Sequence, residues 1–368
     1  MKKKPMDYPI FITTIILVCF GIVMVFSSSF YMAQHNPDIQ DSFYFLKTQS
    51  RWAAIGLLAM IFMSNFSYWR LKKYANLMLI GGIALLVALL IFGKPFNNAK
   101  RWFIIGGISI QPSEIMKFAL IVFLSASISK NKDRIKKPIT GFGYYLAITG
   151  LVFILIFLQP NLSTASSIVM LAMVIMYIGG ARLWHFATVI ITGIAGIYVV
   201  LQNVDPSDYR VKRYLTFLDP WADPLGDGFQ VIQSLYSLGS GGIFGAGLGQ
   251  SRQKYLFLPY AETDFIFSII GEELGFVGAA LVIILFLVLI WRGIKIALTA
   301  PDLFGCLLAS GITAVIGLQA AINIAVVTSS MPATGLPLPF ISAGGSSLAF
   351  FMASIGVLLN ISKYSKAT

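Results

Sequence analysis

The stretch "MKKKPMDYPIFITTIILVCFGIVMVFSSSFY" (residues 1–31) sets three lysines ahead of an apolar run. A secretory leader begins this way, but its apolar core is short and ends at a small-residue cleavage site. Here the run continues to about Tyr31 and no such site stands out, so it reads as a first, retained membrane span. The pattern recurs along the chain. Of its 368 residues 57% are hydrophobic and 11% charged, with a mean hydropathy of +0.81. Soluble chains carry about a quarter charged residues. The expected fold is therefore a single all-α integral membrane domain over residues 1–368, not two soluble domains.

Stretches of about 20 apolar residues number ten, centred near residues 20, 58, 84, 121, 150, 172, 193, 278, 316 and 354. The linkers set the orientation. Lys2–Lys4, Arg70, Lys72, Lys73, Lys130, Lys132, Arg134, Lys136, Lys137, Arg182, Arg292, Lys295, Lys363 and Lys366 all fall on one side. These 16 of the 27 basic residues mark the cytoplasmic face and put both termini there. The same distribution accounts for the net charge of +12 and excludes nucleic acid as the partner, leaving membrane lipids. Cys19 and Cys306 lie inside apolar runs with no redox or metal motif. His35 and His185 fall on opposite sides of the membrane, so no histidine pair binds a metal.

The other face carries the elaborate segments. Residues 94–113 ("KPFNNAKRWFIIGGISIQPS") form a polar, aromatic loop. Residues 203–263 form an extracytoplasmic loop between spans 7 and 8, far longer than a connector needs to be. From Asp205 to Glu273 lie nine of the 15 acids. "SSMPATGLPLPFISAGGSS" (329–347) is rich in Pro, Gly and Ser. Function is expected on this face, because loops held by a rigid scaffold carry chemistry.

Charges at the mouths of these spans are the candidates. A helix starting near Thr263 puts Asp264, Ser268, Gly271 and Gly275 on one face, pointing Asp264 into the bundle. The same acid also fits a carboxylate at a helix N-terminus capped by Thr263; the residues alone leave both open. Glu272 and Glu273 sit deeper, where structural ion pairs are expected. Glu114 and Lys117 are spaced to pair with each other. Arg101 and Trp102 offer a fixed cation and an aromatic face, suited to a phosphate and a sugar. "GIFGAGLGQSRQK" (242–254) lacks the context of a nucleotide loop; its glycines turn the backbone, and Arg252 and Lys254 bring positive charge toward Asp264. Such a cavity suits a lipid-linked anionic sugar, or equally a transported anion.

The stretches "AKRWF", "IQPSEIMK", "QPNLST", "FLDPWADPLGDGFQVIQSLYSLGSGGIFGAGLGQSRQKYLFLP", "ETDFIFSIIGEELGFVG" and "LPFISAGGSSL" span most of the chain in the order of a known family. The chain resembles the SEDS proteins (shape, elongation, division and sporulation), the polytopic peptidoglycan glycosyltransferases FtsW, RodA and SpoVE. Its long central stretch is most similar to the division and sporulation branch, SpoVE-like. The resemblance implies an enzyme of the bacterial cytoplasmic membrane that polymerises lipid II on its outer face, with a class B penicillin-binding protein, a transpeptidase, as partner. It places the essential carboxylate at Asp264 and maps Trp102, Glu114 and Lys117 onto family positions. The family usually reads Gln-Pro-Asp-Leu-Gly-Thr where this chain has Gln159-Pro160-Asn161-Leu162-Ser163-Thr164; Asn161 is no acid or base, and activity is expected to survive because Asp264 and Glu114 are intact.

The expected reaction is an inverting transfer between a lipid-linked glycan and a second lipid II. Asp264 is the base, and Arg101, Lys117, Arg210 and Lys254 are the candidates for binding the departing pyrophosphate. A divalent cation such as Mg2+ bridging Asp264 and the pyrophosphate is compatible with this chemistry, although the sequence shows no dedicated ligand set. The competing readings are a lipid II flippase and a non-catalytic scaffold for the transpeptidase.

Overall fold

The computed structural model describes residues 4–93, 100–105, 108–203, 209–226 and 228–365. Helices occupy all ten positions at which spans are expected: α1 (Tyr8–His35), α2 (Tyr44–Asn65), α3 (Tyr68–Phe92), α4 (Pro112–Lys130), α5 (Tyr144–Phe157), α6 (Leu162–Ile178), α7 (Leu183–Asn203), α10 (Ile266–Thr299), α11 (Leu303–Val327) and α12 (Ser346–Ser362). Among the described residues six are long and apolar enough to cross a membrane. The single sheet there is the hairpin β1 (Phe103–Ile105) and β2 (Ile108–Ile110), with Phe103 opposite Ile110.

The described segments nearest the two termini meet at one end of the bundle. The Lys4 amide donates to the Lys363 carbonyl (2.9 Å), and the Asp7 amide to Ser362 Oγ (3.1 Å). Asp7 caps α1 through the Ile10 amide and pairs with Arg292 of α10. At the same end Asp302 caps α11 and accepts hydrogen bonds from Tyr68 Oη and Trp69 Nε1. Partly buried acids are thus spent on helix ends, where they satisfy amides that the helix leaves open.

The segment 203–263, expected as one loop, contains two further helices, α8 (Tyr209–Leu218) and α9 (Phe229–Ser240). α9 does not stay on the surface. Ser234 Oγ meets Ser268 Oγ (2.7 Å), Ser237 Oγ donates to the Ser268 carbonyl (3.0 Å), and Gly241 lies against the backbone of Gly271. The contacts advance together along α9 and α10, so α9 descends beside α10. The chain then turns at the depth of Glu272–Val277, about 9–16 Å along α10 at 1.5 Å per residue. The Ala246 and Gly247 amides donate to the Glu272 and Glu273 carbonyls, and the Phe276 and Val277 amides to the Gly242 and Ile243 carbonyls. Irregular backbone is tolerated at such depth only where protein satisfies it, and here α10 supplies the partners.

α10 can do so because it breaks at Gly275 (φ 66°, ψ −165°), a conformation essentially confined to glycine. A Cβ there would also stand 2.5 Å from the Ile243 carbonyl oxygen. Gly275→Ala is expected to cost at least the 1–3 kcal/mol of the backbone strain, seen as a lower melting temperature in detergent.

Candidate active site

At the end of the bundle opposite the termini lies a cavity of about 460 Å³. The hairpin β1–β2 brings Arg101 and Trp102 to its rim, where Arg101 Nη2 donates to the Pro160 carbonyl. Pro112 starts α4 at the position where a missing amide costs nothing, which places Glu114 in the first turn facing the cavity. α8 contributes Arg213, α9 contributes Gln230, and the loop before α12 contributes Ala333–Pro337.

Asp264 lines this cavity, but not from a helix. α10 begins at Ile266, so the face shared with Ser268, Gly271 and Gly275 is not the reason Asp264 points inward. Thr263 is no cap either, since its hydroxyl donates to the Tyr260 carbonyl. Asp264 sits in a turn whose three successive carbonyls all accept hydrogen bonds. Glu262 O takes the Ala343 amide (2.9 Å), Thr263 O takes Ser342 Oγ (2.6 Å) and Asp264 O takes Asn323 Nδ2 (2.8 Å). Gly335 (φ 70°) passes so close that a Cβ on it would lie 3.3 Å from Asp264 Oδ2. Main-chain anchoring aims this carboxylate, and sequence periodicity carries no signal for it.

Burial pushes the Asp264 carboxyl from its usual 3.8 up to about 6, against the opposing pull of Arg213 and Arg101. Glu262, buried two residues earlier, is raised by burial first, with a smaller upward push from the Asp264 charge.

The other sequence candidates separate. Glu114 and Lys117 pair at 2.7 Å, as their spacing implies. Lys117 also donates to Gln319 Oε1 (3.0 Å) and sits beneath the cavity, against a void of about 20 Å³. Lys254 is not among the cavity's lining residues. It is buried in an ion pair with Glu273 (3.1 Å) and donates to the Gly249 carbonyl (2.6 Å), so its charge serves the re-entrant turn and not Asp264. Glu272 is likewise held by Ser237, Ser251 and the Arg252 amide. Arg210 lies on α8 with its side chain outside the described residues. The cation that sequence reasoning missed is Arg213, one turn further along the same helix. The three-residue spacing was the available signal. Among the described residues no group of three or more His, Cys, Asp or Glu converges.

The family model for FtsW/RodA/SpoVE cell cycle proteins matches residues 8–367. The chain belongs to that family. It is 45% identical over 367 residues to stage V sporulation protein E of Bacillus subtilis, covering 99% of each chain. It is 40% identical over 364 residues to the probable peptidoglycan glycosyltransferase FtsW of Geobacter metallireducens, covering 98% of this chain and 96% of the relative. Among solved structures, a chain from work on the structural coordination of polymerization and crosslinking by a peptidoglycan synthase complex superposes with a TM-score of 0.80. It is 30% identical, with 98% of this chain and 99% of that one covered. The rod shape determining protein RodA of Thermus thermophilus superposes with a TM-score of 0.70 at 26% identity, covering 98% of each.

One family departure has a structural reading. Asn161 is the N-cap of α6, its Oδ1 accepting from the Thr164 amide (3.3 Å). Asparagine caps as well as aspartate does, so the departure removes a charge from the cavity wall and leaves α6 properly started.

Proposed function

We propose that this chain is a peptidoglycan glycosyltransferase that polymerises lipid II on the outer face of the bacterial cytoplasmic membrane. The observation that carries the reading is Asp264, half-buried in a cavity with Arg101 and Arg213 and held near the pH at which a carboxylate serves as a base. The names of the relatives support the same chemistry. Asp264 takes the proton from the 4-hydroxyl of the acceptor sugar. The acceptor oxygen attacks the donor's anomeric carbon from the face opposite the lipid pyrophosphate. The bond from that carbon to the pyrophosphate oxygen breaks, and the pyrophosphate leaves with the electron pair beside Arg101 and Arg213. Glu114, fixed by Lys117, lines the floor, and Trp102 offers an aromatic face to a sugar ring. The cavity end of the bundle faces outward and both termini face the cytoplasm, as the basic linkers require. A class B penicillin-binding protein is the expected partner, in keeping with the crosslinking that the similar complex performs.

The test is purified protein with lipid II in detergent, where no leaflets exist and transport has no meaning. Glycan strands that disappear with Asp264→Ala support the enzyme; absence of product from the wild type, with and without the transpeptidase, overturns it. Arg101→Ala and Arg213→Ala are each expected to lower kcat/KM by about tenfold or more, the worth of one hydrogen bond to a charged group. Each is also expected to flatten the dependence of KM on salt, measurable in the same assay.

A further inference from the structure

We propose that Asn323 of α11 is the positioning residue for Asp264, holding the turn that carries it and the loop that walls it in one fixed relation. The proposal rests on Asp264 being the base.

Asn323 is buried, 1% exposed, on a helix that crosses the bundle. Its Nδ2 donates to two carbonyls from different segments, Asp264 (2.8 Å) and Leu336 (2.8 Å). Two carbonyl acceptors fix the amide's orientation, since turning it over would set Oδ1 against two oxygens. In this orientation Oδ1 is buried without a partner. An apolar side chain here would instead leave both carbonyls without this donor.

The other anchors of the turn come from the loop itself. Ala343 and Ser342 hold the carbonyls of Glu262 and Thr263, but both belong to the irregular segment before α12. Asn323 ties the same turn to a helix. Gln319, one turn earlier on α11, repeats the device. Its Nε2 donates to the Pro337 carbonyl (2.9 Å), while its Oε1 accepts from Lys117, which pairs with Glu114. Successive carbonyls 336 and 337 are thus hung from one face of α11. Gly335, next in line, is then left close against the Asp264 carboxylate. Without the Asn323 amide, the Asp264 and Leu336 carbonyls lose this donor, and the turn and its wall stay joined only through Ser342 and Ala343, no longer tied to α11 at this point.

The test compares Asn323→Leu, which keeps the branched shape with somewhat more bulk and removes both donors, with Asn323→Ser, which keeps at most one and adds no bulk. Steady-state polymerisation, melting temperature and the acid limb of the pH profile are measured for each, beside the wild type and Asp264→Ala. The expected result is a kcat lowered about 10- to 100-fold for Asn323→Leu and less for Asn323→Ser, with KM within about threefold, because Arg101, Trp102 and Arg213 are untouched. The acid limb is expected to move toward lower pH as the carboxylate becomes more exposed to water. Arg101, Arg213 and Glu262 are the charged groups acting on it and are unchanged in both variants. If Asn323→Leu does not fold, Asn323→Ser carries the test alone. Wild-type kcat in the folded variants with an inactive Asp264→Ala overturns the positioning role and leaves the base intact. A raised KM at unchanged kcat overturns it as well, in favour of a binding role. An active Asp264→Ala sinks both, since no carboxylate then remains to be positioned.

Discussion

Asp264→Asn is expected to reduce glycan polymerisation by about 10²–10⁴-fold, the usual worth of a positioned general base, while substrate binding is retained. The amide has the carboxylate's shape and keeps the three main-chain anchors of residues 262–264, so the loss reports chemistry and not collapse. Because burial holds the Asp264 carboxyl at about 6, log kcat/KM of the wild type should be flat above that pH and fall with unit slope below it. The same shift has a consequence for stability, with the sign set by linkage. The folded protein binds this proton more tightly than the unfolded chain, so ionised Asp264 lowers stability above about pH 6. Asp264→Asn should therefore melt at a higher temperature than the wild type at pH 7.5, with the difference vanishing below pH 3.8. A variant that keeps more than a tenth of wild-type turnover, or an acid limb near pH 4, would exclude Asp264 as the base.

The second large effect lies outside the cavity. Lys254→Met strands Glu273, fully buried beside Ser27, whose hydroxyl donates to both carboxylate oxygens (2.7 Å each). Removing one partner of a buried ion pair costs about 3–5 kcal/mol, because the remaining charge is left uncompensated. Lys254→Met should thus depress the melting temperature sharply and reduce the amount of folded protein, with KM of the folded fraction unchanged. Lys254→Met combined with Glu273→Met should recover much of the loss, since apolar replacement of the whole pair removes the stranded charge. Unchanged stability with a raised KM would instead place Lys254 at the substrate. The contrast between the two variants follows from placement. Both residues belong to the same acid-rich and base-rich region of sequence, yet Asp264 faces the cavity and Lys254 is enclosed by the re-entrant turn.

The ten helices and the gathering of polar segments at one end were legible because the bilayer requirement is one-dimensional. Each apolar run must satisfy its own backbone, so local composition suffices. The Glu114–Lys117 pair was legible for the same reason, as both partners lie on one helical turn. The re-entrant course of α9 was hidden, because residues 229–265 are polar enough to pass for surface loop and reach depth only by leaning on the break at Gly275. Arg213 was within reach through the spacing from Arg210. Asn323 and Gln319 were not, since an amide in an apolar helix gives no sign of which distant carbonyl it holds.

What the sequence alone determined is the class of molecule and the positions of ten of its helices, while the choice of Asp264 as the acid to test came from the family resemblance. That Asp264 faces a cavity, and which cations line it alongside, was decided only in three dimensions. Hydrophobic periodicity reports each segment's own environment, whereas Asp264 is aimed by donors from residues 323, 342 and 343, which chain-local physics does not connect to it.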